Sequence, residues 1–272
     1  MRSISIPSAS DAPTISAAHK EIDRPRGVLL IAHGMAEHKA RYYDFMEFLA
    51  ECGIAAMIWD HRGHGEGAER LGYIAGGADT VLADLARVAA HARALYPEAK
   101  QFLLGHSMGA LVARAYIQTY DGCSGLLLSG NPAYSPFAPA ALRYARRAQN
   151  RRGAYAMARA LSFGMYAPFM LGSRAPFSRN GWLCADRAVV RAYDKDPLCG
   201  FAFTANGYEA LFDLMQRAQH PPAPIRQPNL PIALYSGARD ACAGGEKGAM
   251  RAVRQLADAG YRTVEYKIYP KM

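Results

Sequence analysis

A serine between two glycines carries the strongest chemical signal in this sequence. Residues 105–109 read Gly-His-Ser-Met-Gly and stand between an apolar segment, 101–104, and a helical pattern. A serine hydroxyl becomes a useful nucleophile when the chain holds it clear of its neighbours and beside a base, and a tight strand-to-helix turn provides the first condition. The following helix would point its N-terminal N–H groups at an oxygen that becomes negative during acyl transfer. We therefore predict that Ser107 is a nucleophile.

Two other positions fit the same chemistry. Met35 follows His33 and Gly34 at the end of an earlier apolar segment, so the backbone N–H groups of Met35 and Met108 are candidate donors to an oxyanion. Asp240 comes just after another apolar segment, where an acid could orient a catalytic imidazole. A simple turn explains either segment taken alone. The order of serine followed by aspartate favours the catalytic interpretation.

The remaining histidines and the cysteines predict no metal site. His33, His61 and His64 lack the Glu-containing spacing of a metalloprotease, and we interpret them as structural. The five scattered cysteines form no C-x-x-C pair, which is typical of reduced thiols. Cys242, two residues past Asp240, could make the site sensitive to thiol reagents, although simple packing is the alternative. No cofactor is expected.

The composition predicts a globular protein with a strongly localised charge. The 272 residues are 51% hydrophobic and 20% charged, and neither a membrane-spanning run nor an apolar leader is evident, so we expect a cytoplasmic protein. Residues 134–191 hold ten arginines against one acid, Asp186, an excess equal to the net charge of +9. This basic segment is either a solvated helical face or a contact with anionic membrane lipid. Nucleic acid is not an expected partner, because no binding motif accompanies the charge.

Apolar segments and helical patterns alternate along most of the chain. The pattern predicts a parallel α/β sheet with an inserted helical lid, in which residues 1–132 and 229–272 form the core and 133–228 the lid. The first 25 residues give only weak strand signals. The predicted strands are 28–32, 54–59, 101–104, 126–129, 230–235 and 263–269, and the predicted helices are 41–52, 79–96, 108–120 and 246–259.

Four segments together resemble a known family. Residues 33–38, 60–65, 105–109 and 235–240 resemble the monoacylglycerol lipase and lysophospholipase branch of the α/β-hydrolase fold, also described as serine aminopeptidase S33. The resemblance implies a mainly parallel, eight-stranded sheet with a helical cap, and hydrolysis of a carboxylic ester such as a monoacylglycerol or lysophospholipid without a cofactor. It also implies substrate-binding positions at Glu37 and His38. A peptidase or thioesterase of the same fold would differ in pocket shape.

One expected residue falls outside the sequence. The family's base is a histidine on a loop after the last strand, whereas the last histidine here is His220, so we expect the base a few residues beyond Met272. We favour a chain that is naturally longer over one that is catalytically impaired and only binds its ligand, and we expect little turnover from residues 1–272. The lid residues that could line an acyl pocket, or merely pack the lid, are Phe163, Met165, Tyr166, Phe169, Met170, Leu171 and Phe177.

Overall fold

A mixed sheet of eight strands forms the centre of the molecule in the computed structural model, which describes residues 1–8, 14–172 and 178–270. The strand order is β1-β2-β4-β3-β5-β6-β7-β8, with β1 and β2 antiparallel to their neighbours and the rest parallel. The strands are β1 Arg2–Ile6, β2 Ile15–Lys20, β3 Gly27–Ala32, β4 Ile54–Trp59, β5 Gln101–His106, β6 Gly125–Ser129, β7 Ile232–Gly237 and β8 Val264–Tyr269. This confirms the predicted fold class.

Helices cover both faces of the sheet, as the wholly buried strand β3 requires. One apolar cluster packs α1 against β3 and β4 through Met46, Leu49 and Ile31, and a larger one covers the opposite face. Among the described residues, no helix combines the length and the apolar composition needed to cross a bilayer. The helices are α1 Tyr43–Glu51, α2 Gly77–Leu95, α3 Met108–Tyr116, α4 Ala138–Arg152, α5 Arg159–Gly172, α6 Arg187–Lys195, α7 Ala205–Gln219 and α8 Gly245–Asp258.

Several predicted boundaries need correction. The helix after Ser107 ends at Tyr116 rather than Tyr120, and a short 3-10 turn, Lys39–Tyr42, precedes α1. The strand predicted from residue 230 begins at Ile232, after Pro231, whose ring nitrogen has no hydrogen to donate to a sheet. At the N-terminus, weak signals correspond to two well-formed strands, because Ala17 and Ala18 of β2 are buried by pairing with β4.

Four helices, α4 to α7, lie between β6 and β7. We call residues 133–228 the inserted segment; its limits and its action as a lid stay predictions. Helix α7 packs against α2 and α3 of the core and against α4 of the inserted segment, so it joins the two layers. The other helices of the inserted segment can therefore lie over the carboxyl edge of the sheet, where the strand-end residues converge.

Candidate active site

Ser107 occupies a strained turn between β5 and α3. Its φ of +53° and ψ of −117° lie outside the regions that side chains normally favour. Such a conformation costs about 1–3 kcal/mol and persists only where surrounding contacts enforce it. Here the Ser107 N–H donates to the Ser129 carbonyl at 3.0 Å, and the Ser107 carbonyl accepts from Ala110 N–H at 2.9 Å. The turn therefore fixes the hydroxyl at the head of α3.

The two flanking glycines are required by backbone crowding. A Cβ on Gly109 would lie 1.9 Å from the Ala32 carbonyl oxygen, and one on Gly105 would lie 2.3 Å from the Gly109 carbonyl oxygen. Helix α3 thus crosses β3 and β5 at a distance that only glycine permits. The Gly-x-Ser-x-Gly spacing follows directly from this close approach.

Two buried histidines hold the loop after β3, residues 33–38, which we call the β3 loop. The Nε2 of His33 accepts from His61 N–H at 3.1 Å, and the Nε2 of His64 accepts from Ala36 N–H at 3.2 Å. The other ring nitrogen of each donates to a carbonyl: His33 Nδ1 to Gly34 at 2.8 Å and His64 Nδ1 to Arg62 at 2.9 Å. These contacts require the neutral ring, with one nitrogen free to accept.

Burial keeps these rings neutral. Desolvation lowers the pKa of His64 to about 4 and that of His61 to about 3, and holds the pKa of His33 well below its usual value, with the neighbouring rings adding to the effect. The centroids of His33 and His61 lie 4.4 Å apart. The three rings therefore act as a neutral scaffold that fixes the backbone beside Met35.

Glu37 shapes the same loop from within. It is 3% exposed and accepts hydrogen bonds from the Gly34 N–H, from the Arg41 guanidinium, and from the Tyr42 hydroxyl at 2.8 Å. Glu37 and Arg41 both line the cavity above Ser107, and the Arg41 guanidinium also lies 5.0 Å from the Tyr193 ring centroid. Arg41 was missed in the sequence, where its position four residues after Glu37 was the signal for this pair.

The inserted segment holds the β3 loop from the other side. Ala36 has a φ of +54°, and its carbonyl accepts from the Tyr193 hydroxyl at 2.8 Å and from Gly200 N–H at 2.9 Å. His38 turns away toward Asp196, with 2.7 Å between His38 Nε2 and an Asp196 carboxylate oxygen. Of the two predicted substrate-binding positions, the structure brings Glu37 to the cavity and places His38 at the junction with the inserted segment.

Asp240 lies in the turn after β7, where its carboxylate accepts from Ala243 N–H at 3.0 Å. Two residues further along the chain, the Cys242 thiol forms a side-chain hydrogen bond with Ser107. Burial raises the pKa of Cys242 to about 12, with the Asp240 charge contributing, so the thiol stays protonated at neutral pH. Its place two residues after the predicted acid was the only signal for this contact.

Two histidines that could serve as a base have other contacts. His106 Nδ1 lies 3.4 Å from the Ser129 hydroxyl, and burial lowers the pKa of this ring, assisted by the nearby Arg41 charge. His220 lies edge-on to the Tyr134 ring, with centroids 6.2 Å apart. Neither ring is hydrogen-bonded to Ser107 in the described parts of the chain.

A cavity of about 880 Å³ opens above Ser107. Met35 and Met108 line it beside the serine, and the Tyr166 hydroxyl of α5 contacts the Met35 sulfur at 3.6 Å. Trp182, which the sequence did not single out, packs against Phe169 on the cavity wall, with ring centroids 4.7 Å apart and planes inclined at 39°. The walls are mainly apolar, and the polar groups converge near the serine, an arrangement that suits an amphipathic ligand.

Four of the seven lid residues named from the sequence line this cavity. They are Phe163, Met165, Tyr166 and Phe169. The side chains of Met170 and Leu171, and Phe177 as a whole, lie outside the described residues. Among the described residues, the one cluster of possible metal ligands lies beside the cavity rather than in it and comprises His38, Asp196 and Cys199.

Comparisons with known proteins found a matching family model, partly aligned relatives and similar solved structures. A family model described as serine aminopeptidase, S33, matches residues 23–272. The monoacylglycerol lipase of Mycolicibacterium smegmatis is 36% identical over 114 residues, which are 39% of this chain and 38% of that protein. The probable lysophospholipase L2 of Haemophilus influenzae is 28% identical over 127 residues, 44% of this chain and 40% of that protein. The chain thus aligns with less than half the length of these relatives.

A solved structure shows how far the fold is shared. The crystal structure of a highly thermostable carboxyl esterase from Bacillus coagulans, in complex with glycerol, superposes with a TM-score of 0.87. The sequences are 24% identical, and the match covers 99% of this chain and 89% of that chain. At this identity, the likeness establishes the common architecture.

Proposed function

Because the chain belongs to the serine aminopeptidase S33 family and has the α/β-hydrolase fold, we propose that it hydrolyses carboxylic esters with Ser107 as nucleophile. The observation that carries the proposal is the strained Ser107 turn, which opens into the cavity at the head of α3. A structural turn would gain nothing from a conformation that costs free energy and faces a cavity.

The mechanism assigns a role to each neighbouring group. Ser107 Oγ attacks the ester carbonyl, and the backbone N–H groups of Met35 and Met108 stabilise the resulting oxyanion. Each such donor is typically worth about 3–4 kcal/mol in the transition state. The base takes the proton of the Ser107 hydroxyl during the attack and gives it to the departing alcohol, and water then adds to the acyl-serine and releases the acid. Asp240 orients the base and stabilises its charged form.

The base in this proposal is an imidazole at the edge of the sheet where β7 and β8 end. Strands β7 and β8 are parallel neighbours, with Gly237 paired to Tyr269, so groups that follow the two strands emerge at the same edge of the sheet. Asp240 is already at that edge. An imidazole there could reach both Asp240 and Ser107, taking the place that the Cys242 thiol has beside the serine.

The cavity supports a lipid-like monoester as substrate. Its volume and apolar walls suit one acyl chain, and the Glu37 and Arg41 pair offers hydrogen bonds to a polar head near the serine. The named relatives include a monoacylglycerol lipase and a probable lysophospholipase. We therefore propose a monoacylglycerol or lysophospholipid as the substrate class.

The experiment supplies the base from solution. Purified residues 1–272 are assayed with p-nitrophenyl butyrate at increasing imidazole concentration, and the rate with Ser107→Ala is subtracted as background. The proposal predicts slow turnover without imidazole and a Ser107-dependent increase with it, together with Ser107-dependent labelling by a fluorophosphonate. Equal hydrolysis rates for the parent chain and Ser107→Ala, with no fluorophosphonate labelling of either, would instead support a protein that binds esters without cleaving them.

Substrate class is tested on the same samples. Monoacylglycerols and lysophospholipids of graded acyl length are compared with a peptide amide and an acyl thioester under imidazole rescue. Preferential cleavage of the two lipid monoesters supports the assignment. Faster cleavage of the peptide or thioester would move the protein to the corresponding class of the same fold.

A further inference from the structure

Three side chains with metal-ligating atoms meet where the inserted segment contacts the β3 loop. His38 comes from the β3 loop, and Asp196 and Cys199 follow α6. One ligand atom from each residue lies within 4.8 Å of the others. The cluster joins two parts of the chain separated by more than 150 residues in sequence.

The three residues already contact one another. The His38 Nε2 and Asp196 Oδ2 atoms are 2.7 Å apart, and the Cys199 thiol forms a hydrogen bond with the Asp196 carboxylate. Asp196 Oδ1 accepts from Leu198 N–H at 2.8 Å, which fixes the carboxylate and leaves Oδ2 directed at the histidine. The three candidate ligand side chains are therefore held in place before any ion binds.

Burial gives the cluster a defined interior and one open side. The His38 side chain is 11% exposed, the Asp196 side chain is 30% exposed, and Cys199 is half-buried. A cation could enter past Asp196 while the imidazole stays shielded from water. Partial desolvation of this kind strengthens ion binding because fewer waters compete for the ligands.

The donor set selects among metal ions. One imidazole nitrogen, one carboxylate oxygen and one thiolate sulfur form a combination typical of Zn²⁺ and unlike the oxygen-only sites of Mg²⁺ and Ca²⁺. Tetrahedral bonds to Zn²⁺ place ligand atoms about 3.3–3.8 Å apart. The observed spacing reaches this range with small side-chain movements, and water can supply the fourth ligand.

The charges near the cluster also permit a cation. Carboxylate and thiolate together would balance the two positive charges of Zn²⁺. Arg41, whose charge acts on the Cys199 thiol, is paired with Glu37, which reduces its repulsion of an incoming ion. Tyr193, which also lies nearby, donates a hydrogen bond from its neutral hydroxyl to the Ala36 carbonyl.

We propose that His38, Asp196 and Cys199 form a binding site for a zinc-class divalent cation that ties residues 196–199 to the β3 loop. The ion would replace a network of hydrogen bonds with bonds to a single centre. The β3 loop also carries Met35, which lines the cavity. An ion that joins this loop to residues 196–199 would therefore hold the inserted segment over the cavity. The proposal does not depend on the esterase activity.

Ion binding changes the protonation of two ligands. Cys199 must lose its thiol proton, and burial together with the Asp196 charge raises the pKa of that thiol to about 12. If His38 donates through Nε2 to Asp196, its ring proton must move to Nδ1 so that Nε2 can bind the ion.

The test measures metal binding directly on the untagged 272-residue chain after treatment with a chelator. Co²⁺ is titrated first, because a thiolate ligand gives a charge-transfer band in the near ultraviolet, and Zn²⁺ affinity is then measured by competition with a chromophoric chelator. We expect one ion per chain, a thiolate band, displacement of Co²⁺ by Zn²⁺, and a higher melting temperature with the ion bound.

Variants locate the site. Cys199→Ser should remove the thiolate band and weaken Zn²⁺ binding by at least about 100-fold, since loss of a ligand exceeds the effect of losing an outer hydrogen bond. His38→Gln should weaken Zn²⁺ binding comparably while keeping the Co²⁺–thiolate band at high Co²⁺ concentration. Cys52→Ser is the matched control, because Cys52 is also a half-buried free thiol but lies at the C-cap of α1, outside the cluster.

Melting in a chelator shows that each variant is folded before its affinity is compared. The proposal is overturned if the folded chain binds no ion with a thiolate band, if Cys199→Ser and His38→Gln bind as tightly as the parent, or if Cys52→Ser loses the band. It is supported if only the variants of the cluster lose affinity.

Discussion

At the scale of single residues, the site depends on how closely backbones approach. The Gly-x-Ser-x-Gly pattern reflects two close backbone contacts, Gly109 with Ala32 and Gly105 with Gly109. It also reflects the positive φ of Ser107 between them. These constraints are local in space and follow from the motif, which is why the sequence located the turn correctly. They also make the turn intolerant of added atoms.

We expect Gly109→Ala to destabilise the fold strongly. The new Cβ would overlap the Ala32 carbonyl oxygen at 1.9 Å, so β3 and α3 would have to separate. An unfolding free energy lower by about 3 kcal/mol or more, measured by urea denaturation, is the expected result. Gly164→Ala is the control, because no described atom lies within 4 Å of its added Cβ and α5 is helical there.

The control should behave in the opposite sense. Alanine in place of a helical glycine stabilises by about 0.5–1 kcal/mol where no clash opposes it. If the free energy of unfolding of Gly109→Ala were as high as that of Gly164→Ala, the close contact between α3 and β3 beneath Ser107 would be disproved.

The buried histidines predict a loss of stability in acid. The pKa values of His33, His61 and His64 are all lower in the folded chain than the ordinary value near 6.5, so between the two values the unfolded chain binds more protons. The stabilising contribution is complete above about pH 6.5 and declines as the pH falls toward 4. Unfolding free energy should therefore decrease across this window.

His61→Phe tests the origin of that decrease. Both ring nitrogens of His61 lack a hydrogen-bond partner among the described residues, so phenylalanine removes a titratable group without breaking a side-chain hydrogen bond. Between pH 6.5 and 4.5, the variant should lose about 2–3 kcal/mol less than the parent by urea denaturation. Trp59→Phe, which repacks the adjacent ring without changing a titratable group, should keep the parent's slope.

At the scale of elements, α7 attaches the inserted segment to the core. Its N-cap, Thr204, is fully buried; the hydroxyl accepts from Gly207 N–H at 3.2 Å and donates to the Gly72 carbonyl at 3.1 Å. The same first turn continues the attachment, since the Asn206 side chain accepts from Ile74 N–H at 2.8 Å. One helix start therefore fixes the position of α7 against the loop before α2.

Thr204→Val should weaken this attachment. Valine keeps the shape of threonine but leaves a helical N–H and a buried carbonyl with one partner fewer, which costs about 2 kcal/mol. Thr204→Ser retains the hydroxyl and should cost less. The comparison is made by urea denaturation, and equal losses for the two variants would show that the methyl group, rather than the cap, stabilises α7.

The elements that the sequence predicted well are those with a strong local pattern. Strands β3 to β6 are apolar runs ending in glycine or polar residues, and the structure confirms them within one or two residues. Strand β2 was weak because its buried positions include Ala17, Ala18 and His19, which become strand-like only through pairing with β4.

The candidate site was predictable only where its residues form a local motif. Ser107 and its glycines follow from a motif, but the hydrogen bond between Tyr193 and Ala36 joins residues 157 positions apart. The contact between Cys242 and Ser107 likewise depends on how β7 and β5 are placed in the sheet. Such contacts follow from tertiary packing, and local spacing in the sequence does not specify them by itself.

At the scale of the whole molecule, charge is distributed very unevenly. The excess of nine positive charges lies within residues 134–191, and the rest of the chain is balanced. On α4, Arg143, Arg147 and Arg151 are exposed at intervals of four residues, and Phe137 and Phe163 at the cavity are each 76% exposed. A basic face beside exposed aromatic rings is the pattern expected for contact with an anionic lipid surface.

We therefore expect binding to vesicles that contain phosphatidylserine, and weaker binding as salt is added. Replacing Arg143, Arg147 and Arg151 by glutamine should lower the partition coefficient by about 100-fold in a sedimentation assay, at about 1 kcal/mol for each arginine near the surface.

The matched control replaces Arg87, Lys247 and Arg254, three exposed cations on α2 and α8, by glutamine. Because this control removes the same total charge, net charge alone would weaken both triple variants equally, whereas an oriented contact would weaken only the α4 variant. Equal losses, or equal binding to vesicles of phosphatidylcholine alone, would exclude an oriented membrane contact through the inserted segment.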